Sequence, residues 1–170
     1  MDGAKVEKIA IARHIEPLPV IGWREWIALP DLGISEVKAK IDTGARSSAL
    51  DAFGIETFYT EGKRCVRFRV NPYQRDSNKI VIAKAEVLDE REVRDSGGHT
   101  ELRFTILTTV EIQEHRWPIE LTLTDRYSMS FRMLLGRQGL SGRFLVDPGN
   151  SFLLSSEKSS DKELQGETDK

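Results

Sequence analysis

The stretch "KAKIDTGARSSALDA", residues 38–52, decides how this chain is read. Val37, Ala39 and Ile41 alternate with Lys38 and Lys40, the period of a strand with one buried face. The run then stops in Asp42-Thr43-Gly44-Ala45, a carboxylate and a hydroxyl followed by two minimal residues. A carboxylate at the end of a half-buried strand is expensive unless it finds a partner. Gly44 permits a close backbone approach that a Cβ would block. Ala45 keeps the neighbourhood uncrowded, and Thr43 offers a short hydroxyl to brace the turn. The pattern predicts a carboxylate held stiffly at a strand end, although Asp-Thr-Gly also occurs as a plain turn.

Working outward, period two dominates. "REWIALP" reads as a strand closed by the turn Pro30-Asp31-Leu32-Gly33, and "EVKAKID" as the next strand. "IETFYTEGKRCVRFRV" reads as a hairpin turning near Glu61-Gly62, with Val66, Phe68 and Val70 on one face. "KIVIAKAEVL", "TELRFTILTTVEI" and, after a turn near Glu114-His115, "WPIELTLTD" follow as strands. "FRMLLG" is a short, wholly apolar core strand, and Arg137 to Ser141 offers the best short helix. Many short strands with regular turn signals argue for an all-β barrel or sandwich.

The bulk properties exclude several classes. At 170 residues the chain suits one domain with a real core. A net charge of -2 gives no overall field toward nucleic acid or membrane, so neither is expected as a partner. No apolar run approaches the roughly 18 residues of a membrane span. Cys65 is the single cysteine, which rules out an internal disulfide and suits a reducing, cytoplasmic setting. Residues 1–19 are weakly patterned and read as a peripheral N-terminal segment. Residues 155–170, dense in charge and almost free of apolar residues, read as a disordered polar tail.

A second motif changes the weight of the first. "MLLGRQGL", residues 133–140, places an apolar pair, Gly136 and Arg137 about ninety residues after Asp42. Between them, "VRDSGGHTELRF" offers a hairpin with Ser96-Gly97-Gly98 at its tip. This order resembles the retropepsins, single-domain aspartic proteases. A closer resemblance runs from about Gly22 to Leu153 through "GWREWIALPDLG", "KAKIDTGARSSAL", "LLGRQGL" and "FLVDPGNSFLL". By these segments the chain is identified as a member of the family described as RimK-associated, ATP-dependent zinc proteases, itself similar to retropepsins in fold and motif.

The resemblance implies a mainly β, retropepsin-like closed barrel over residues 20–154, a single domain with a flap hairpin. It implies an aspartic peptidase with Asp42, Thr43 and Gly44 as its catalytic loop. Ala45, Arg46, Ser96, Gly97, Gly98 and Arg137 would then meet the substrate. Leu134, Leu135 and Gly136 would support the site from the core. Retropepsins share one proton between two aspartates, one activating water while the other polarises the scissile carbonyl. This chain has one such loop, so a C2 homodimer would supply the second carboxylate. The association with RimK-type ligases, which append glutamates to a ribosomal protein, implies a peptide or protein substrate with a glutamate-rich tail. A catalytically inactive dimeric peptide-binding module of the same fold is the alternative.

The zinc and ATP of the family's name find no matching residues. His14, His99 and His115 are far apart, no His-Glu-x-x-His run exists, and no Gly-x-x-x-x-Gly-Lys-[Ser/Thr] loop exists. No metal or other cofactor is therefore expected. Two departures stand out. Members of the family commonly carry His where Asp51 stands. Viral retropepsins place an Asp directly after the motif, where this chain has Arg46, so Arg137 must find another acceptor, such as a backbone carbonyl. The basic run Arg64, Arg67 and Arg69 reads as a solvated face, with an anionic-substrate groove as the sharper reading.

Overall fold

Alternation becomes strand wherever one side of the backbone can be buried. The computed structural model describes residues 17–74, 78–94, 96–125 and 130–156. Strands β1 (Val20–Gly22), β2 (Arg24–Leu29) and β3 (Ile34–Asp42) open the chain, with a 3-10 turn at Pro30–Leu32 between the last two. Next come β4 (Ser48–Asp51), β5 (Phe53–Thr60), β6 (Lys63–Val70), β7 (Val81–Glu86) and β8 (Asp89–Arg94). The long pair β9 (Thr100–Ile112) and β10 (His115–Thr124) is followed by β11 (Met133–Gly136), the one-turn helix α1 (Arg137–Leu140) and β12 (Leu145–Asp147).

Six strands form a ring in the order β10-β4-β11-β3-β2-β9, sealed by antiparallel pairing of β9 with β10. Closure leaves no unpaired edge in the ring. Ile27, Val37, Ala39, Leu50, Ile106 and Leu135 fill its interior, all essentially inaccessible to solvent. A smaller sheet, β5-β6-β7, lies beside it and buries Val66, Phe68 and Val70 against the same core. The β5–β6 connection is the expected two-residue turn. Glu61 and Gly62 both have positive φ (51° and 76°), the hand that matches strand twist. The β9–β10 turn falls at Gln113-Glu114, one residue earlier than expected, because Gln113 takes the left-handed position (φ 52°).

Two details place the site. First, β11 runs parallel to β3, with Leu135 beside Ile41 and Gly136 beside Asp42. The two motifs, far apart in sequence, are therefore neighbours. Second, among the described residues β8 pairs only with β9 and extends the barrel wall as a hairpin, Asp89 opposite Thr105 and Arg94 opposite Thr100. Its turn holds Ser96, Gly97 and Gly98 at the tip, as expected for a flap.

The segments before β2 and after β12 are tied to the barrel through one buried carboxylate. Glu25, fully buried on β2, accepts hydrogen bonds from the amides of Gly22, Leu153, Leu154 and Ser155 and from the Ser155 hydroxyl. Residues 1–16 of the expected N-terminal segment, and the expected tail from Glu157 onward, lie outside the described residues. Among the described residues, no helix is long and apolar enough to cross a membrane.

Candidate active site

Asp42 is the last residue of β3. Its neighbours on the inward face, Ala39 and Ile41, are anchored in the core, so the strand end is stiff. Oδ1 of Asp42 accepts the amides of Gly44 (3.0 Å) and Ala45 (3.2 Å). These bonds fix the carboxylate plane and leave Oδ2 without a hydrogen-bond partner among the described residues. Asp42 is half-buried, while Thr43 and Gly44 at the loop tip are exposed.

The loop is clamped from the other motif. The Arg137 amide donates to the Ala45 carbonyl (2.8 Å) and the Gln138 amide to the Arg46 carbonyl (3.1 Å). The Arg137 guanidinium donates through Nη1 to the Thr43 carbonyl (2.9 Å). That is the backbone acceptor its departure from the viral pattern required. The Gly136 amide donates to the buried Ser48 hydroxyl (3.1 Å). A Cβ on Gly136 would sit 2.5 Å from the Ser47 carbonyl oxygen. Its φ of -88° is open to any residue. Glycine is needed there for space alone.

A cleft of about 850 Å³ opens above this loop, within the usual range for ligand sites. Asp42, Gly44, Ala45 and Arg46 line one side, and Arg94 and Ser96 of the flap line another. Arg137, Gly97 and Gly98 are not part of its wall. Arg137 braces the loop from outside, and the two glycines form the exposed flap turn. Leu134 differs from Leu135 and Gly136: those two are buried support, whereas Leu134 is half-exposed and lines the cleft.

Sequence reasoning missed the residues of the cleft's far wall, Arg91, Arg103, Glu120 and Thr122. Arg91 bridges Glu120 (2.5 Å) and Asp89 (2.9 Å). The hydrogen bond from Arg91 holds the Glu120 carboxyl below its usual range, against a smaller opposing effect of desolvation. The same bond raises the Arg91 guanidinium. A signal did exist: Arg91 and Arg103 lie symmetrically about Gly97, so a hairpin centred there must pair them, and it does.

The other residues singled out in the sequence lie outside the cleft wall. Arg67 and Arg69 are exposed, Arg67 is paired with Glu56, Arg64 is paired with Glu90, and none of the three lines the cleft. Asp51 is buried in an ion pair with Arg132 (2.9 Å). No group of three or more His, Cys, Asp or Glu converges among the described residues. His99 is exposed near the flap tip, His115 packs edge-on against Phe144, and Cys65 is buried on β6 with its thiol toward the Lys63 carbonyl. This donor set does not fit zinc.

A closed six-stranded barrel with an Asp-Thr-Gly-Ala loop beside an apolar-Gly-Arg strand and beneath a hairpin is a retropepsin-like fold. The family model described as RimB-like, retropepsin-like aspartic endopeptidase RimB, matches residues 20–157, and the chain belongs to that family. It is 42% identical over 135 residues to a protein named probable alpha-L-glutamate ligase from Shewanella halifaxensis, and 44% identical over 135 residues to one from Parasynechococcus marenigrum. These matches cover 79% of this chain but 30% and 29% of those relatives, so the chain spans about three-tenths of their length. The solved structure of the Legionella pneumophila protein Lpg0085, of unknown function, superposes with a TM-score of 0.67 at 24% identity. That match covers 81% of this chain and 98% of the other, a likeness of fold alone.

Proposed function

We propose that the chain is one half of a cytoplasmic aspartic endopeptidase that cleaves acidic, glutamate-rich peptides at a site built from two copies of Asp42. The observation that carries this reading is Asp42 itself. Its Oδ1 is clamped by two amides and its Oδ2 is left free, at the base of a cleft roofed by a flap. The exposed loop tip, Thr43-Gly44, leaves room for a second copy to approach.

Two carboxylates about 3 Å apart cannot both ionise, so the pair keeps one proton. The charged partner takes a proton from water as the oxygen attacks the peptide carbonyl carbon. The protonated partner donates to the carbonyl oxygen. The tetrahedral gem-diol then collapses: the carboxyl that took the water proton gives it to the amide nitrogen, the C–N bond breaks, and the other carboxylate takes a hydroxyl proton as the new acid forms, which restores the singly protonated pair. No covalent enzyme intermediate forms.

The cleft wall supports the acidic-substrate reading. It carries Arg46, Arg91, Arg94 and Arg103 against Asp42, Glu92 and Glu120. Arg46 and Arg94 make no ion pair among the described residues. The relatives named probable alpha-L-glutamate ligases fit a chain acting on glutamate-rich tails.

The test is hydrolysis of a glutamate-rich peptide by wild type and by Asp42→Asn, which is nearly isosteric. General acid–base groups contribute about 10²- to 10⁴-fold, so the variant loses at least about 10²-fold while its melting temperature holds. Intact turnover in folded Asp42→Asn rules out the aspartic mechanism. Binding without cleavage by wild type across acid and neutral pH makes the chain a peptide-binding module.

A further inference from the structure

Arg103 occupies an unusual position for an arginine. Its side chain is only 6% exposed, on β9 at the root of the flap, yet it lines the cleft. Nε donates to Glu101 at 3.3 Å, a long bond to a carboxylate that is itself 48% exposed. Nη2 is buried and has no hydrogen-bond partner among the described residues. A buried guanidinium donor left unpaired is costly, because its desolvation is not returned.

Arg91 faces Arg103 directly across the β8–β9 ladder, and like charges so placed repel. Arg91 is already neutralised by Asp89 and Glu120, so the unmet demand belongs to Arg103. A surface arginine that merely filled space would turn its fork to water. This one is held in the wall of the cleft that Asp42 also lines, with little of its side chain open to water.

We propose that Arg103 is the specificity-determining residue of the cleft, binding a carboxylate of the peptide and so setting its place relative to Asp42. The group bound is a carboxylate, from a glutamyl side chain or from the peptide's own C-terminus. A planar guanidinium suits either, through two parallel hydrogen bonds. This inference rests on the cleft being the substrate site.

The experiment measures binding of a labelled glutamate-rich peptide to full-length Asp42→Asn protein, so that turnover is not needed, and separately kcat and KM in the wild-type background. Three peptides are compared: the parent, one with glutamines for glutamates, and one with an amidated C-terminus. With Arg103 present, the parent binds at least about tenfold better than whichever peptide lacks the recognised carboxylate, which identifies its source. In Arg103→Met that preference falls to near unity, and the loss appears in KM rather than kcat. Arg103→Lys keeps the charge without the fork and gives an intermediate preference. It also serves should the Met variant fail to fold. An undiminished preference in folded Arg103→Met or Arg103→Lys overturns the inference, as does equal binding of all three peptides to the parent protein. An Arg103-dependent preference without cleavage by wild type defeats the peptidase reading alone. Cleavage that ignores Arg103 defeats this inference alone.

Discussion

Gly136→Ala tests the link between the two motifs through a single methyl group. The added Cβ would lie 2.5 Å from the Ser47 carbonyl oxygen, 2.7 Å from the Ser47 carbonyl carbon and 3.0 Å from the Ala45 carbonyl oxygen. Ordinary contact begins near 3.4 Å, so the loop must retreat by 3.4 − 2.5 = 0.9 Å. All three atoms are backbone, and no side chain can rotate away. Overpacking of this kind costs about 1–3 kcal/mol, which a domain stable by about 5–15 kcal/mol survives. The displaced segment follows directly on Asp42, and misplacing a catalytic group by about 1 Å costs on the order of 10²-fold. The expected result is a folded protein melting about 3–10 °C lower, with kcat/KM for a glutamate-rich peptide down by about 10- to 100-fold. An unchanged melting temperature together with kcat/KM within twofold of wild type would falsify the claim that Gly136 sets the position of the Asp42 loop.

Other perturbations probe separate parts of the account. Glu25→Gln replaces a carboxylate oxygen by an NH₂ group facing amide donors, leaving one buried and one partly buried N–H group without a good acceptor. At about 1–3 kcal/mol each, urea denaturation should show a loss of about 2–6 kcal/mol; a loss below about 1 kcal/mol contradicts the clamp. Ser48→Ala removes the acceptor of the buried Gly136 amide and should cost about 1–3 kcal/mol in the same assay. Glu120 is held below its usual range by Arg91, so its stabilising contribution is present above the unfolded-state value and is lost as pH falls through the folded one. Melting temperature should therefore drop less on acidification in Glu120→Gln than in wild type; parallel curves contradict the pairing.

The strands with alternating burial were legible because one face of each meets the core, as in "TELRFTILTTVEI", which is β9 residue for residue. Strand β4 was not legible. All four of its residues, Ser48 to Asp51, are buried between β10 and β11, so alternation disappears. Strand β8, "DEREVR", is hidden for the opposite reason. Among the described residues it pairs on one edge only, and Val93 is its single apolar residue, so no alternation marks it. The juxtaposition of Asp42 with Gly136 was readable from motif order, since parallel pairing of β3 with β11 brings the motifs together. The place of Arg103 and Glu120 in the cleft wall was not: hairpin symmetry pairs Arg103 with Arg91, but a charged residue on a long strand reads as solvated until a neighbouring hairpin covers it. The shape of the cleft depends on barrel closure between β9 and β10 and on the flap's path, neither of which leaves a local trace.

The central claim is that two Asp42 side chains act as one unit, and mixed dimers test it directly. Wild-type and Asp42→Asn chains carrying different affinity tags would be co-expressed and purified over both tags, and hydrolysis of a glutamate-rich peptide measured at equal dimer concentration. A shared dyad predicts that the mixed dimer is as inactive as the Asp42→Asn homodimer, since one carboxylate cannot do the work of two. A mixed dimer retaining about half the wild-type rate, or a fully active protein that yields no doubly tagged species, contradicts it.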